Sequence, residues 1–139
     1  MTDKKPVPAF TIDPAPTIEW PVTVDLPVDG GSSAAFQFTG IFKRLPEAEL
    51  DKLLGVDVGA IHESPEAKEK RIQDVLRENA ELFPSLLAGW KGVKTASGEE
   101  AAFSVESLQA QVVGLNGRFL SIGLWRAVSE IRRGARLGN

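Results

Sequence analysis

From Ile18 to Val28 the chain alternates without a break: Ile18, Trp20, Val22, Val24, Leu26 and Val28 are apolar, while Glu19, Pro21, Thr23, Asp25 and Pro27 are polar or proline. A period of two sustained over that length specifies a strand with one buried face. Pro21 and Pro27 cannot donate to a ladder, so the strand belongs at a sheet edge or pairs on one side only at those residues. Asp29-Gly30-Gly31-Ser32 supplies the positive-φ residues of a hairpin turn. A second run, Ala34 to Phe42, then places Phe36, Phe38 and Phe42 on one face and Gln37 and Thr39 on the other. Gly40 interrupts the aromatic face and marks a bulge or the close approach of another element. The expected hairpin spans residues 18–42. Alone it would be marginal in water, so its even-numbered face must pack on the rest of the chain or on another subunit. Its open edge makes a homo-oligomer an option.

Before the hairpin, residues 1–17 hold Pro6, Pro8, Pro14 and Pro16 and read as a flexible or extended arm. After it the apolar period lengthens, and a helical part is expected over 46–135. Pro46, Glu47 and Glu49 suit a helix start, Leu50, Leu53 and Leu54 share a face, and Gly55 ends the segment. Ser64-Pro65-Glu66 opens a second, longer helix in which Ile72, Val75, Leu76, Phe83, Leu86, Leu87 and Trp90 keep near-helical spacing. Pro84 should break or kink it, with a restarted turn reaching Trp90. Ser104 caps a third helix carrying Val105, Leu108 and Val112, with Gly114 as its stop. The last helix, near Gly117 to Arg133, carries Leu120, Leu124, Val128 and Ile131 along one face, with Trp125 beside them. Segregated strands and helices make the fold class α+β: an N-terminal hairpin, then four or five helices, in one domain over 18–139.

Composition narrows the chemistry. The 139 residues contain no cysteine and one histidine, His62, which excludes a disulfide framework, a thiol nucleophile and a structural zinc site. His62 stands among acidic and small residues with no spaced partner, and Glu19 and Asp25 lie on the solvent side of a strand. Gly89-Trp90-Lys91-Gly92 and Gly114-Leu115-Asn116-Gly117 match neither a Walker sequence nor a GxGxxG turn and read as helix stops. The expectation is a protein that is not an enzyme, with no catalytic residue, cofactor or metal. The start, MTDKKPVPAF, lacks the apolar stretch of a signal peptide and no run approaches a membrane span, so a cytosolic protein is expected.

The net charge of −3 conceals a division: residues 1–114 carry 11 Lys/Arg against 18 Asp/Glu, and residues 115–139 carry five Arg against Glu130 alone. Cations near a helix C-terminus complement its dipole, and no nucleic-acid motif accompanies them, so no nucleic-acid partner is expected. Trp20 and Trp90 fit apolar faces. Trp125 flanks its stripe near arginines, and Trp with Arg is the composition of interface hot spots. The candidate partner-binding surface is therefore Trp125, Arg126, Arg132, Arg133 and Arg136.

One ordered set of segments is similar to the small tail assembly chaperones encoded among phage tail genes. Phe38-Thr39-Gly40-Ile41-Phe42-Lys43-Arg44-Leu45, followed by Glu47-Ala48-Glu49-Leu50, resembles their hairpin-then-helix start. Gly89-Trp90-Lys91-Gly92-Val93 resembles the end of their middle helix, and Gly98 with Phe103-Ser104-Val105 the turn and helix start that follow. Arg132-Arg133-Gly134-Ala135-Arg136 resembles their small and basic ending. Departures are a long stretch from Gly55 to Ser64, Trp125 as the aromatic of the last helix, and Leu137-Gly138 where lysine is expected. The resemblance implies a non-enzymatic factor in the host cytoplasm, absent from the mature virion, that binds the tape-measure protein, keeps it soluble and recruits tail-tube subunits. It also implies that a frameshifted longer form can exist. The alternative is a structural tail or head-completion component that stays in the particle and uses the hairpin edge to join a ring.

Overall fold

The computed structural model describes residues 7–12, 15–54 and 71–135; His62, Arg136 and the expected helix start at Ser64-Pro65-Glu66 lie outside the described residues. Strands β1 (Thr17–Val28) and β2 (Ser32–Lys43) form the expected hairpin, paired in unbroken antiparallel register from Thr17↔Lys43 to Val28↔Ser32. Gly30 and Gly31 take φ of 97° and 87° in the connecting turn, a region that costs other residues steric strain. Helix α1 (Glu47–Leu54) follows, with the Pro46 carbonyl accepting from Glu49 and Leu50 at its start. Helix α2 (Ile72–Leu82) ends where Pro84 requires, in a 3-10 turn over Phe83–Ser85. Helices α3 (Val105–Val112) and α4 (Gly117–Arg133) complete the chain. Ser104 Oγ accepts from Ser107 N at 3.0 Å, and Gly134, at φ 88°, closes α4. The fold is α+β.

One expectation fails. The middle helix does not restart after Pro84 and run to Trp90; Leu87–Lys91 forms a third strand, β3, so the segment 46–135 is not wholly helical. The sheet order is β1-β2-β3, antiparallel throughout, with Gly40 opposite Trp90 and Ile41 opposite Gly89. The register then slips, so that Phe42 faces Leu87 and Ala88 is left over as a bulge. An apolar run this short carries no period of its own, and the free edge of β2 decides its conformation. Gly40 is where the approach is tightest: a Cβ there would stand 2.5 Å from the Phe42 ring and 3.2 Å from Leu87 Cδ1.

As the prolines indicate, β1 is an edge strand. Residues of one parity aim their backbone groups to the same side of a strand, and an unbroken ladder through Pro21 and Pro27 therefore puts both nitrogens on the outer edge. Helix α4 lies against that strand so closely that a Cβ on Gly123 would meet the Thr23 carbonyl oxygen at 2.5 Å. The helices share one core with the even face of the sheet, centred on Val22, Phe42, Phe83, Leu87, Leu108, Val112 and Leu124. Trp20 Nε1 donates to the buried Glu130 carboxylate at 2.8 Å, tying β1 to the end of α4. The other sheet face is polar, with Lys91 Nζ reaching Glu19 at 2.6 Å across β2.

Candidate functional site

Among the described residues no three His, Asp or Glu side chains come together as metal ligands, and no helix is long and apolar enough to cross a membrane. Apolar surface is unevenly placed on the sheet. Toward the base of the hairpin, where β1 begins, the even face is covered by α4 and the 3-10 turn. Toward the tip the alternation of β1 and β2 continues past the helices that could cover it. The result is a groove of about 480 Å³ lined mainly by Val24, Leu26, Phe36, Phe38, Trp90 and Leu120, with Lys94 and Asn116 at its polar margin.

Each wall follows from local sequence. Val24 and Phe36 are register partners, as are Val22 and Phe38, so one face carries a ladder of β-branched and aromatic side chains. The floor is held by an aromatic set. Trp90 meets Phe38 edge-on with centroids 6.3 Å apart, meets Phe103 edge-on at 4.9 Å, and donates its indole N–H to the Ala101 carbonyl at 2.7 Å. A buried indole N–H needs such a partner. The loop supplying it is itself clasped: Ala101 N donates to Val93 O at 2.7 Å, and Lys94 pairs with Glu100 at 2.8 Å, which holds the Glu100 carboxyl below its ordinary pKa through that hydrogen bond. Gly98, at φ 89°, makes the turn between them. Phe38, Trp90, Val93 and Phe103, distant in sequence, thus meet at one place; Gly89 lets Ile41 lie over its backbone, Phe42 is in the core, and Ser104 serves as an N-cap. Leu120 closes the groove from α4.

Beside the groove the surface stays apolar. Phe36 is 50% exposed and Leu115, in the turn before α4, is 96% exposed. Phe36 lines the groove, and a half-exposed aromatic on an open apolar groove is the kind of surface that marks an interaction site.

The arginine surface expected from sequence is divided. Trp125 is half-buried, its ring tilted against Phe83 with centroids 5.0 Å apart, and so serves the core with most of its surface. Arg132 is engaged: its guanidinium donates to Glu47 through Nε at 3.0 Å and Nη2 at 2.8 Å, and to Asp51 through Nη2 at 2.7 Å, fastening α4 to α1. Glu47 first, then Asp51, raise its already high pKa. Beside this junction is a smaller cleft of about 190 Å³ between Leu45, Leu50, Leu86 and Ile131. Arg126 and Arg133 are exposed, and Arg136 lies outside the described residues. Leu26, Phe36 and Leu120, which line the groove, lie outside the Trp125–arginine surface that the sequence points to. The signal for the first two was present in the alternation, which runs on for more pairs than a 17-residue α4 and an eight-residue α3 could cover.

No family model, curated protein or solved structure matches the chain.

Proposed function

We propose that the chain is a non-enzymatic tail assembly chaperone of phage or prophage origin, working in the host cytoplasm. It binds apolar segments of the tape-measure protein, keeps that protein soluble, helps recruit tail-tube subunits, and is left out of the mature virion. The observation that carries the reading is the groove at the hairpin tip: an open apolar groove of about 480 Å³ with an aromatic floor, the kind of surface on which the apolar face of a helix docks. The resemblance of the 38–50 and 103–105 segments to tail assembly chaperones supports it, because Phe38 lines the groove and Phe103 backs Trp90 in its floor; the 89–93 segment, which resembles the end of a helix, begins in strand β3 here and lends the reading no support.

The alternative, a structural component retained in the particle through the hairpin edge, has less support. Pro21 and Pro27 remove two donors from that edge, and α4 presses on it at Thr23. Co-expression with the tape-measure protein of the same gene cluster tests the proposal. The expected result is a soluble complex that Phe36→Glu abolishes and that Arg126→Ala with Arg133→Ala, at the exposed arginines of α4, leaves intact. An insoluble tape-measure protein in the presence of the wild-type chain would overturn it, as would finding the chain in purified particles at fixed copy number by mass spectrometry.

A further inference from the structure

Helix α4 has one face that nothing among the described residues covers. At about 100° of rotation per residue, Arg118, Ile122, Trp125, Arg126, Ser129 and Arg133 fall within a single arc of roughly 100°, and every buried residue of the helix lies outside that arc. The three arginines are exposed, Ile122 is 58% exposed, and Trp125, half-buried on Phe83, stands at one margin. The arc holds no acid. Elsewhere Arg77 pairs with Asp74, Lys91 with Glu19, Lys94 with Glu100, and Arg132 with Glu47 and Asp51. Among the described residues no carboxylate pairs with Arg118, Arg126 or Arg133. Nor can the helix turn this face inward: Gly123 rests on the Thr23 carbonyl, Trp20 holds Glu130, and Arg132 fastens α4 to α1.

The spacing describes the partner. Arg118, Ile122, Trp125 and Ser129 step by four, three and four residues, the recurrence of a seam between two helices, and Arg126 and Arg133 run along one side of it. From Arg118 to Arg133 the seam is about 22 Å long. A second copy of α4 is a poor occupant, because pairing this face with itself sets arginine against arginine. DNA has no use for Ile122, and the chain as a whole carries a net charge of −3. A membrane would gain one isoleucine and the margin of a tryptophan, too small an apolar face for insertion.

We infer that this face of α4 docks an acidic amphipathic helix of another protein. Apolar residues of that helix lie over Ile122 and the exposed margin of Trp125, and its carboxylates reach Arg118, Arg126 and Arg133. Leu120, which α4 gives to the groove at the hairpin tip, lies on the opposite side of the helix, so the two surfaces can be occupied together. The inference therefore does not rest on the function proposed for the groove.

Fluorescence anisotropy of a labelled helical peptide with leucine at its a and d positions and glutamate at e and g, titrated with the full-length chain, tests this. Circular dichroism confirms that each variant is folded. The wild type should bind the peptide, and less tightly as salt rises. Arg118→Ala with Arg126→Ala and Arg133→Ala should weaken binding by about tenfold or more, and so should Ile122→Asp alone. Phe36→Glu, which abolishes the complex proposed for the groove, should leave this one unchanged. The same peptide with lysine in place of glutamate should not bind. A wild-type chain that ignores the glutamate peptide, binds the lysine peptide equally well, or loses the glutamate peptide through Phe36→Glu and not through the arginine substitutions would overturn the proposal. Tighter binding of a labelled DNA duplex, or of phosphatidylserine vesicles, in the same buffer would overturn it too.

Discussion

At the base of the hairpin Val22 and Phe42 join Phe83, Leu87 and Leu124 in a cluster where no side chain is more than 3% exposed, whereas at the tip of the same face Phe36 is half in water and Val28 more than a third. The residue types at the two ends are alike. The difference lies in what covers them: α4 and the 3-10 turn at the base, a groove at the tip. Apolar alternation is thus ambiguous about purpose. It states that a face avoids water, and the supply of covering helix determines whether that face becomes core or contact surface.

Four substitutions would break or sharpen this division. Phe83→Ala, at the base, empties a buried aromatic site beneath Trp125 and should cost about 3–5 kcal/mol in urea unfolding. Trp20→Phe removes the donor to the buried Glu130 carboxylate and should cost about 1–3 kcal/mol, read from the same denaturation midpoints. Gly123→Ala should destabilise by about 1 kcal/mol, reversing the gain of similar size that alanine brings to an open helix site, because the added Cβ meets a backbone carbonyl that cannot rotate away. Phe36→Ser, at the tip, gives up one cross-strand pair with Val24 and should cost about 0.2–1 kcal/mol in the same measurement, while abolishing the complex proposed for the groove. A loss above about 2 kcal/mol for Phe36→Ser would show that the tip is core after all and that base and tip do not differ in kind.

The sequence was most legible where one residue type could mean only one thing. Alternation from Ile18 to Val28 with Gly30-Gly31 after it defines the hairpin, and the cap at Ser104 and the stop at Gly114 bound α3. Leu87–Lys91 was not legible. Its leucine, glycine and tryptophan continue the helical spacing of the residues before Pro84, and only the waiting edge of β2 makes them a strand. The site was legible in part. Phe38, Trp90 and Phe103 fall in the three segments that carry the resemblance, but their convergence depends on the β2–β3 register and on the Ala101 carbonyl that takes the Trp90 indole. Arg132 shows the limit from the other side. Its neighbours in sequence suggest a free basic end, and its true partners, Glu47 and Asp51, lie more than eighty positions away.

The Trp20–Glu130 hydrogen bond and the Gly123–Thr23 contact join the first strand to the last helix, and that has a consequence for the order in which the chain is made. When β1 leaves the ribosome, residues 29–116 must still be synthesised before α4 begins, on the order of 5–20 s at ordinary elongation rates. Through that interval the hairpin's apolar face waits for a covering helix that does not yet exist, and long-range closure of this kind slows folding as well. Pro21 and Pro27 lack the donors a neighbouring strand would need, so they work against pairing at the outer edge of β1 in the nascent hairpin as in the finished sheet, while the edge of β2 is closed once β3 has been made.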